Sequence, residues 1–358
     1  MDSKKRLEDA VSRFVKEERL LTEGCAVAAG VSGGADSLCM LLCLKKLYGD
    51  SHSICAVHIN HGLRDEAGDD EAYVKRICDE RDIPFISFSV DVEARMKEDG
   101  ISCEEAGRRL RYEAFDKAAQ MIREGSFKGI KIPVKEVRIA VAHTMNDNAE
   151  TMLLNLFRGT GLKGLSGIPA RRDDVIRPLL CIGREDTEDY LKALGLPFCL
   201  DKTNKEDDFT RNRIRHKLLP AARECINTKA VEHMGITAKA LRSAEDFALS
   251  ETEKAFLDCC EVKVQGLFMD RKKFLCLHPY IQDRVILKAM TVTCGKARDL
   301  SAVHIAALKG LFDKGRGRRL DLPYFITAKR QDGYVVLCVE KDKKLGKNKP
   351  VSGKAKDF

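Results

Sequence analysis

Val31-Ser32-Gly33-Gly34-Ala35-Asp36-Ser37 joins a short apolar run, Cys25 to Val31, to a segment with helical apolar spacing, Asp36 to Leu47. A strand, a glycine-rich turn and a helix in that order make a cradle for an oxyanion. The glycines let the backbone come close, and the first helical amides meet the anion at the positive end of the helix dipole. Ser32 and Ser37 add hydroxyl donors. A carboxylate at Asp36 repels a bare phosphate, so it requires Mg²⁺ between the two. Ser32, Gly33, Gly34, Ala35, Asp36 and Ser37 are therefore the candidate phosphate-binding residues, with Asp36 the candidate Mg²⁺ ligand. The competing reading is a glycine-rich turn capped by Ser37 or Asp36. It is the weaker one, because position, residue types and context all agree on an anion site. The Gly-Lys-Ser/Thr ending of a kinase-type phosphate loop is absent.

Outward from this loop, strand-like and helix-like segments alternate. Ile54 to Ile59, Phe85 to Val90 and Val137 to Ala142 read as strands; Asp69 to Arg81, Glu104 to Ile122 and Asn146 to Phe157 read as helices. Such alternation predicts a doubly wound α/β fold, a parallel sheet with helices on both faces and ligands beyond the carboxyl ends of its strands. Gly183 to Leu194 reads as a helix, as does Thr210 to Leu219, ended by Pro220. From Ala221 the pattern is mainly helical, with Tyr280 to Met290 and Ser301 to Phe312 as further helices and two or three short strands within Leu320 to Val339. The expected organisation is a catalytic domain over 1–220, a mainly helical domain with a β segment over 221–340 and a basic tail over 341–358. That tail carries seven of the lysines against two aspartates and reads as disordered.

Four further stretches carry chemistry. Val57-His58-Ile59-Asn60-His61-Gly62 follows the second strand; its histidines can ligate a metal, but a loop framing a base through backbone groups is the better reading. Ser102 with Glu105 forms a capping box, and Arg108 and Arg111 share the face of the helix that follows. That pair is either a solvated basic face or a clamp for a triphosphate, an RNA phosphate or a carboxylate. Ala142-His143-Thr144-Met145-Asn146-Asp147-Asn148-Ala149-Glu150 lies at a strand's carboxyl end, with Asp147 and Glu150 on one face, suited to Mg²⁺ or an ammonium or else to helix capping. Tyr190 to Pro220 includes Leu200-Asp201-Lys202-Thr203-Asn204 and Thr210-Arg211-Asn212-Arg213-Ile214-Arg215, where arginines are dense enough to hold RNA phosphates or a pyrophosphate. Gly159-Thr160-Gly161-Leu162-Lys163-Gly164 matches a dinucleotide fingerprint in spacing, yet it follows a helix where a strand is required, so it reads as a helix-terminating loop.

Composition sets outer limits. The 358 residues carry a net charge of +8, which favours an anionic partner. No apolar stretch approaches the roughly 20 residues of a membrane span, so no membrane role is expected. The 14 cysteines include no Cys-x-x-Cys pair, and many sit in apolar runs as small hydrophobes, which fits a reducing cytoplasm.

Together the motifs resemble the tRNA(Ile)-lysidine synthase family of the PP-loop ATPase superfamily, closely over Ala26 to Pro220 and more loosely to Leu320-Asp321-Leu322-Pro323. The resemblance implies an adenine nucleotide α-hydrolase-like fold, ATP with Mg²⁺, and two further substrates: free L-lysine and tRNA(Ile) with a CAU anticodon. ATP would adenylate the C2 oxygen of the wobble cytidine, and the lysine ε-amine would displace AMP. It further implies catalytic roles for Asp36, His143, Asp147, Glu150, Arg108 and Arg111, with Asp147 a second candidate metal ligand. Nucleotide contacts fall to Ser32 to Ser37, His58, Asn60, His61, Arg158 and Gly159, and RNA contacts to Arg211, Asn212, Arg213 and Arg215. The family's usual His-His-x-Asp-Asp is altered here, with Thr144 for the second histidine and Asn146 for the first aspartate. A tRNA thiolase of the same superfamily, which usually needs a positioned cysteine pair, and a tRNA-binding homologue with impaired catalysis are the rival readings. The oligomeric state stays open, a homodimer being one option.

Overall fold

The computed structural model describes residues 3–60, 62, 67–127, 129–130, 134–199, 210–295 and 300–340. His61, Leu63-Arg64, Leu200 to Asn204 and the basic tail lie outside the described residues.

The first half of the chain runs α1 (Ser3–Glu17), β1 (Cys25–Gly30), α2 (Ala35–Tyr48), β2 (Ser53–Asn60), α3 (Ala67–Asp79), β3 (Phe85–Ser89), α4 (Val92–Asp99), α5 (Cys103–Arg123) and β4 (Glu136–Ala140). It continues with α6 (Met145–Phe157), α7 (Leu162–Leu165), a small hairpin of β5 (Arg171–Arg172) and β6 (Val175–Ile176), and α8 (Arg184–Ala193). The sheet order is β3-β2-β1-β4-β6-β5, parallel throughout except for β5 against β6. β1 is central, with Ala28 opposite Cys55 on one side and Ile139 on the other.

Its alternation feeds two cores. Ala26 and Ala28 face Phe115, Ala118 and Ile122 of α5, while Val27 and Ala29 join Leu38, Leu41 and Leu44 of α2 and Leu7 and Val11 of α1. Small residues on β1 let the α5 helix sit close. At Gly30 an added Cβ would lie 2.4 Å from the Phe115 ring, so glycine is required there. The carboxyl ends of β1, β2 and β4 thereby open onto one edge, as expected for a doubly wound sheet.

The sequence expectation that Pro220 ends a helix is not what forms. α9 (Thr210–Arg213) runs through a π-helical turn, Ile214–Leu218, into α10 (Leu219–Cys225), with Pro220 in its first turn. The Leu219 amide reaches back to the Ile214 carbonyl, and this wider turn accommodates a following residue that has no amide proton. Ile214, Leu219 and Val231 pack with Ala149 of α6. The chain accordingly divides into compact units at Met1–Arg242 and Ser243–Phe358, inside the long helix α11 (Ala230–Cys259), beyond the boundary expected near Pro220.

The second unit holds β7 (Cys260–Lys263), β8 (Gly266–Asp270), α12 (Arg271–Leu275), α13 (Pro279–Cys294), α14 (Ala302–Leu311), β9 (Arg319–Asp321), β10 (Ile326–Arg330) and β11 (Tyr334–Val339). Its antiparallel sheet has the order β7-β8-β11-β10-β9 over a core centred on the stacked rings of Phe274 and Phe312. The hairpin β7–β8 escaped the sequence reading because Glu261, Val262 and Lys263 are all exposed and give no alternation.

Candidate active site

The loop between β1 and α2 is built to receive an anion. Gly33 sits at φ +91°, a conformation side-chain-bearing residues avoid, and the Cys199 amide donates to its carbonyl. Gly34 is the N-cap of α2 and offers no side-chain cap, so the amides of the first turn have no intramolecular acceptor of that kind. Ser37 is nearly buried; its hydroxyl donates to the Gly34 carbonyl at 2.9 Å and accepts from the Ser32 amide at 3.1 Å. The Gly34 amide reaches the Ser32 hydroxyl at 3.4 Å, so the loop is closed by its own serines, with the first helical amides of α2 at its mouth. This donor set fits a pyrophosphate.

Asp36, on the first turn of α2, is pinned by α8. The Thr187 hydroxyl donates to Asp36 Oδ1 at 2.6 Å, and Arg184 Nε reaches Oδ2 at 3.4 Å. Burial raises the Asp36 carboxyl above its ordinary value, and the charge of Asp147 adds to this, against the pull of Thr187 and Arg184. Arg184 also donates from Nη2 to Asp147 Oδ1 at 3.3 Å, and so ties the phosphate loop to α6.

Asp147 and Glu150 form the centre of an acid–arginine cluster. Asp147 Oδ2 accepts from the amide and hydroxyl of Thr144, at 2.8 and 3.0 Å. Its Oδ1 accepts from Arg184, Arg211 and Arg215, at 3.3, 3.3 and 3.2 Å. Burial pushes Asp147 up, but Arg184, the Thr144 amide and Arg211 outweigh it and hold the carboxyl below its ordinary value. Glu150 is fully buried and accepts from Arg211 Nε at 2.7 Å and from Arg215 Nε at 2.6 Å. The shared face expected of Arg211 and Arg215 is therefore real, while exposed Arg213 turns to Thr210 at 3.3 Å. Every lone pair expected to hold Mg²⁺ or lysine at Asp147 is taken by a donor, so a cation there would have to displace an arginine.

Asn146 has a different task from a charged ligand. Its Oδ1 accepts from the Arg184 amide at 3.0 Å, at the start of α8. Any side chain with an acceptor at that place, Asn or Asp, can do this, and an aspartate there would face the positive end of α8.

His143 lies beside this cluster. Burial lowers its imidazole to about 4, and the charges of Arg177, Arg211 and Arg111 add to this against Asp147, so the ring is neutral near pH 7. Its buried Nδ1 has no partner among the described residues. Arg108 lies over the Tyr112 ring at 5.9 Å, and both Arg108 and Arg111 are exposed. Ser102 caps α5 through the Glu105 amide, but the Glu105 side chain turns to Arg109, so half of the expected capping box forms.

The remaining candidates are scattered. His58 is buried, with Nδ1 2.8 Å from the Val31 carbonyl, a link between strand ends. Asn60 accepts from the Gly62 amide at 3.0 Å and frames the turn. Arg158 and Gly159 end α6 and lie about 16 Å along that helix from Asp147. Among the described residues no group of three or more His, Cys, Asp or Glu is arranged to hold a metal alone. Mg²⁺ completes its shell with substrate phosphates and water, so a single carboxylate at Asp36 fits it.

Arg184, Thr187 and Arg177 were missed in the sequence. Arg184 carried a signal: a cation on the first turn of a helix opposes the dipole and needs a carboxylate partner.

The PP-loop domain family matches residues 3–222. A tRNA(Ile)-lysidine synthase of Caldanaerobacter subterraneus subsp. tengcongensis is 34% identical over 345 residues, 96% of this chain and 71% of that protein. That of Clostridioides difficile is 34% identical over 337 residues, 93% of this chain and 70% of its own length. Among solved structures, the U34-tRNA thiolase NcsA of Methanococcus maripaludis is similar with a TM-score of 0.51 at 18% identity, covering 66% of this chain and 78% of that one, a likeness of fold. By sequence, this chain belongs to the tRNA(Ile)-lysidine synthase family of PP-loop proteins.

Proposed function

We propose that the protein joins lysine to C2 of the wobble cytidine of tRNA(Ile) with a CAU anticodon, at the expense of ATP, releasing AMP and pyrophosphate. The observation that carries this reading is the bridge from Asp36 in the phosphate loop through Arg184 to Asp147. It joins an anion cradle to a row of guanidinium groups at the edge where the strands end. The C2 oxygen of cytidine is a poor leaving group, and transfer of AMP to it makes it a good one. Mg²⁺, bound through Asp36, would supply charge neutralisation at the departing pyrophosphate. The loop amides and Ser32 hold that pyrophosphate; Asp147 and Glu150 aim Arg184, Arg211 and Arg215 at the anionic groups. Neutral His143 can accept a proton from the attacking amine or donate a hydrogen bond to the base. A cleft of about 530 Å³ beside Glu150, Glu185 and Asn146 is a place for the amino acid. The mainly helical stretch 221–340 is assigned to holding the tRNA body, and the cytoplasm is the compartment where tRNA and ATP meet.

Incubating the protein with ATP, labelled lysine and a tRNA(Ile) transcript tests this directly. Lysine incorporated into RNA with AMP released in equal amount supports it. AMP release with no lysine in the RNA, or neither product, overturns it.

A further inference from the structure

A second group of arginines differs from the active-site row in having no carboxylate partner among the described residues. Arg108 and Arg111 stand on α5; Arg172 and Arg177 stand on and just after the β5–β6 hairpin, beside the carboxyl end of β4. Arg177 feels the charges of both Arg172 and Arg108 and lies close to the Tyr112 hydroxyl, and Arg111 feels Arg108. Arg108, Arg111 and Arg177 thus share one neighbourhood around Tyr112, with Arg172 beside Arg177. Of the carboxylates on these elements, Glu105 pairs with Arg109, Glu113 with Arg95, and Asp174 with Arg123 and Arg138, while Glu104, Asp116 and Asp173 pair with none of the four. Among the described residues none of the four ion-pairs with a carboxylate.

Arg177 is the sharper observation. It is only 5% exposed, donates from Nη1 to the Pro169 carbonyl at 2.9 Å, and leaves a buried Nε with no partner among the described residues. An arginine buried among other arginines, with a donor unspent, is costly in the free protein. An anion would relieve both the repulsion and the empty donor.

We propose that Arg108, Arg111, Arg172 and Arg177 form an RNA backbone site that grips phosphodiester groups, separate from the pyrophosphate loop. The proposal rests on the reading that the chain modifies tRNA. Arg108, Arg111 and Arg172 are exposed, and Arg177 is buried. Spaced guanidinium groups on an open surface suit the successive charges of a polymer, whereas one amino-acid carboxylate neutralises only one of them. The triphosphate is already provided for at the Ser32–Ser37 loop.

The test uses the full chain and a tRNA(Ile) transcript with a CAU anticodon, titrated across a potassium chloride series, with ATP titrated separately by calorimetry. Arg108→Gln with Arg172→Gln is the main variant, since both side chains are exposed; Arg177→Lys keeps a charge but loses the fork. Weaker tRNA binding is expected, with the log–log salt slope flattened by about 0.7 to 0.9 for each phosphate no longer gripped and ATP affinity unchanged. An unchanged tRNA slope and affinity in the folded double variant overturns the site. So does a fall in ATP affinity with tRNA binding intact, which would give these arginines to the nucleotide. If Arg177→Lys fails to fold, the exposed pair decides alone. Wild-type protein that binds tRNA with a steep salt slope yet forms no AMP would sink the lysine-transfer reading and leave this site standing.

Discussion

Arg215 grips Glu150 with both ends of its fork, Nε to Oε1 at 2.6 Å and Nη2 to Oε2 at 2.9 Å, and Glu150 has no solvent exposure. A bidentate pair of this kind is strong but unforgiving, because removing one partner strands a charge away from water. Glu150→Ala should therefore destabilise the first unit by about 3–5 kcal/mol, and Glu150→Gln by less. Denaturant melts of the two variants measure this; wild-type stability in Glu150→Ala would show that the cluster contributes nothing to the fold.

Asp36→Ala should abolish AMP formation while tRNA binding survives. The carboxylate lies inside an anion cradle, and its hydrogen-bond partners among the described residues come from α8. Removing one metal ligand from the transition state costs several kcal/mol. Asp36→Asn keeps the Thr187 hydrogen bond and separates charge from shape. Near-normal turnover in a folded Asp36→Ala protein would remove Asp36 from the chemistry.

Asn146→Asp should retain or raise activity and lower the Mg²⁺ requirement. The carboxylate keeps the hydrogen bond to the Arg184 amide and gains the favourable end of the α8 dipole. Asn146→Ala loses that acceptor, at roughly 1 kcal/mol by analogy with a helix cap, and should loosen Arg184 as well. Turnover and melting of the pair report on it; a folded but inactive Asn146→Asp would mean the site has been rebuilt around the amide.

Arg211 and Arg215 should behave alike, and Arg213 should differ from both. The first two face Asp147 and Glu150, the third faces Thr210. Because the pair turns inward, replacing both by Gln should weaken ATP binding and cut AMP formation by roughly 10²-fold or more, the usual effect of losing an oxyanion donor, with the tRNA salt slope unchanged. Arg213→Gln should leave ATP affinity near normal. A flattened tRNA slope with ATP affinity intact would assign the inward face to RNA instead.

Stability should fall as acid protonates His143 in the unfolded chain. That imidazole titrates near pH 6.5 unfolded and at about 4 folded, so between those values the unfolded chain takes up a proton that the folded one refuses. Its contribution is intact above pH 6.5 and lost progressively down to about 4, amounting to at most about 3 kcal/mol. Comparing denaturant melts of wild type and His143→Gln across this window isolates it; parallel curves would mean that His143 titrates normally.

Local patterns carried much of this protein openly. The β1–loop–α2 segment was legible because strand, glycines and helix start are adjacent in the chain, and α5, α6 and α8 announced themselves by apolar spacing. The face shared by Arg211 and Arg215 was legible for the same reason, being a matter of helical periodicity. The hairpin β7–β8 was not, since its short, exposed first strand has no alternation to read, and the helix through Pro220 was not, since a π-turn has no sequence mark.

What only the tertiary structure decided is who meets whom. Asp36 and Arg184 are 148 residues apart, and Glu150 and Arg215 are 65 apart, so no periodicity links them. Sequence could offer Asp147, with Glu150 on the same face, as a cation ligand, because carboxylates at a strand's end invite one. Folding brought three arginines to the same oxygen, and the physical reason is burial: a carboxylate taken out of water must find its counter-charge inside the protein, wherever in the chain that charge resides.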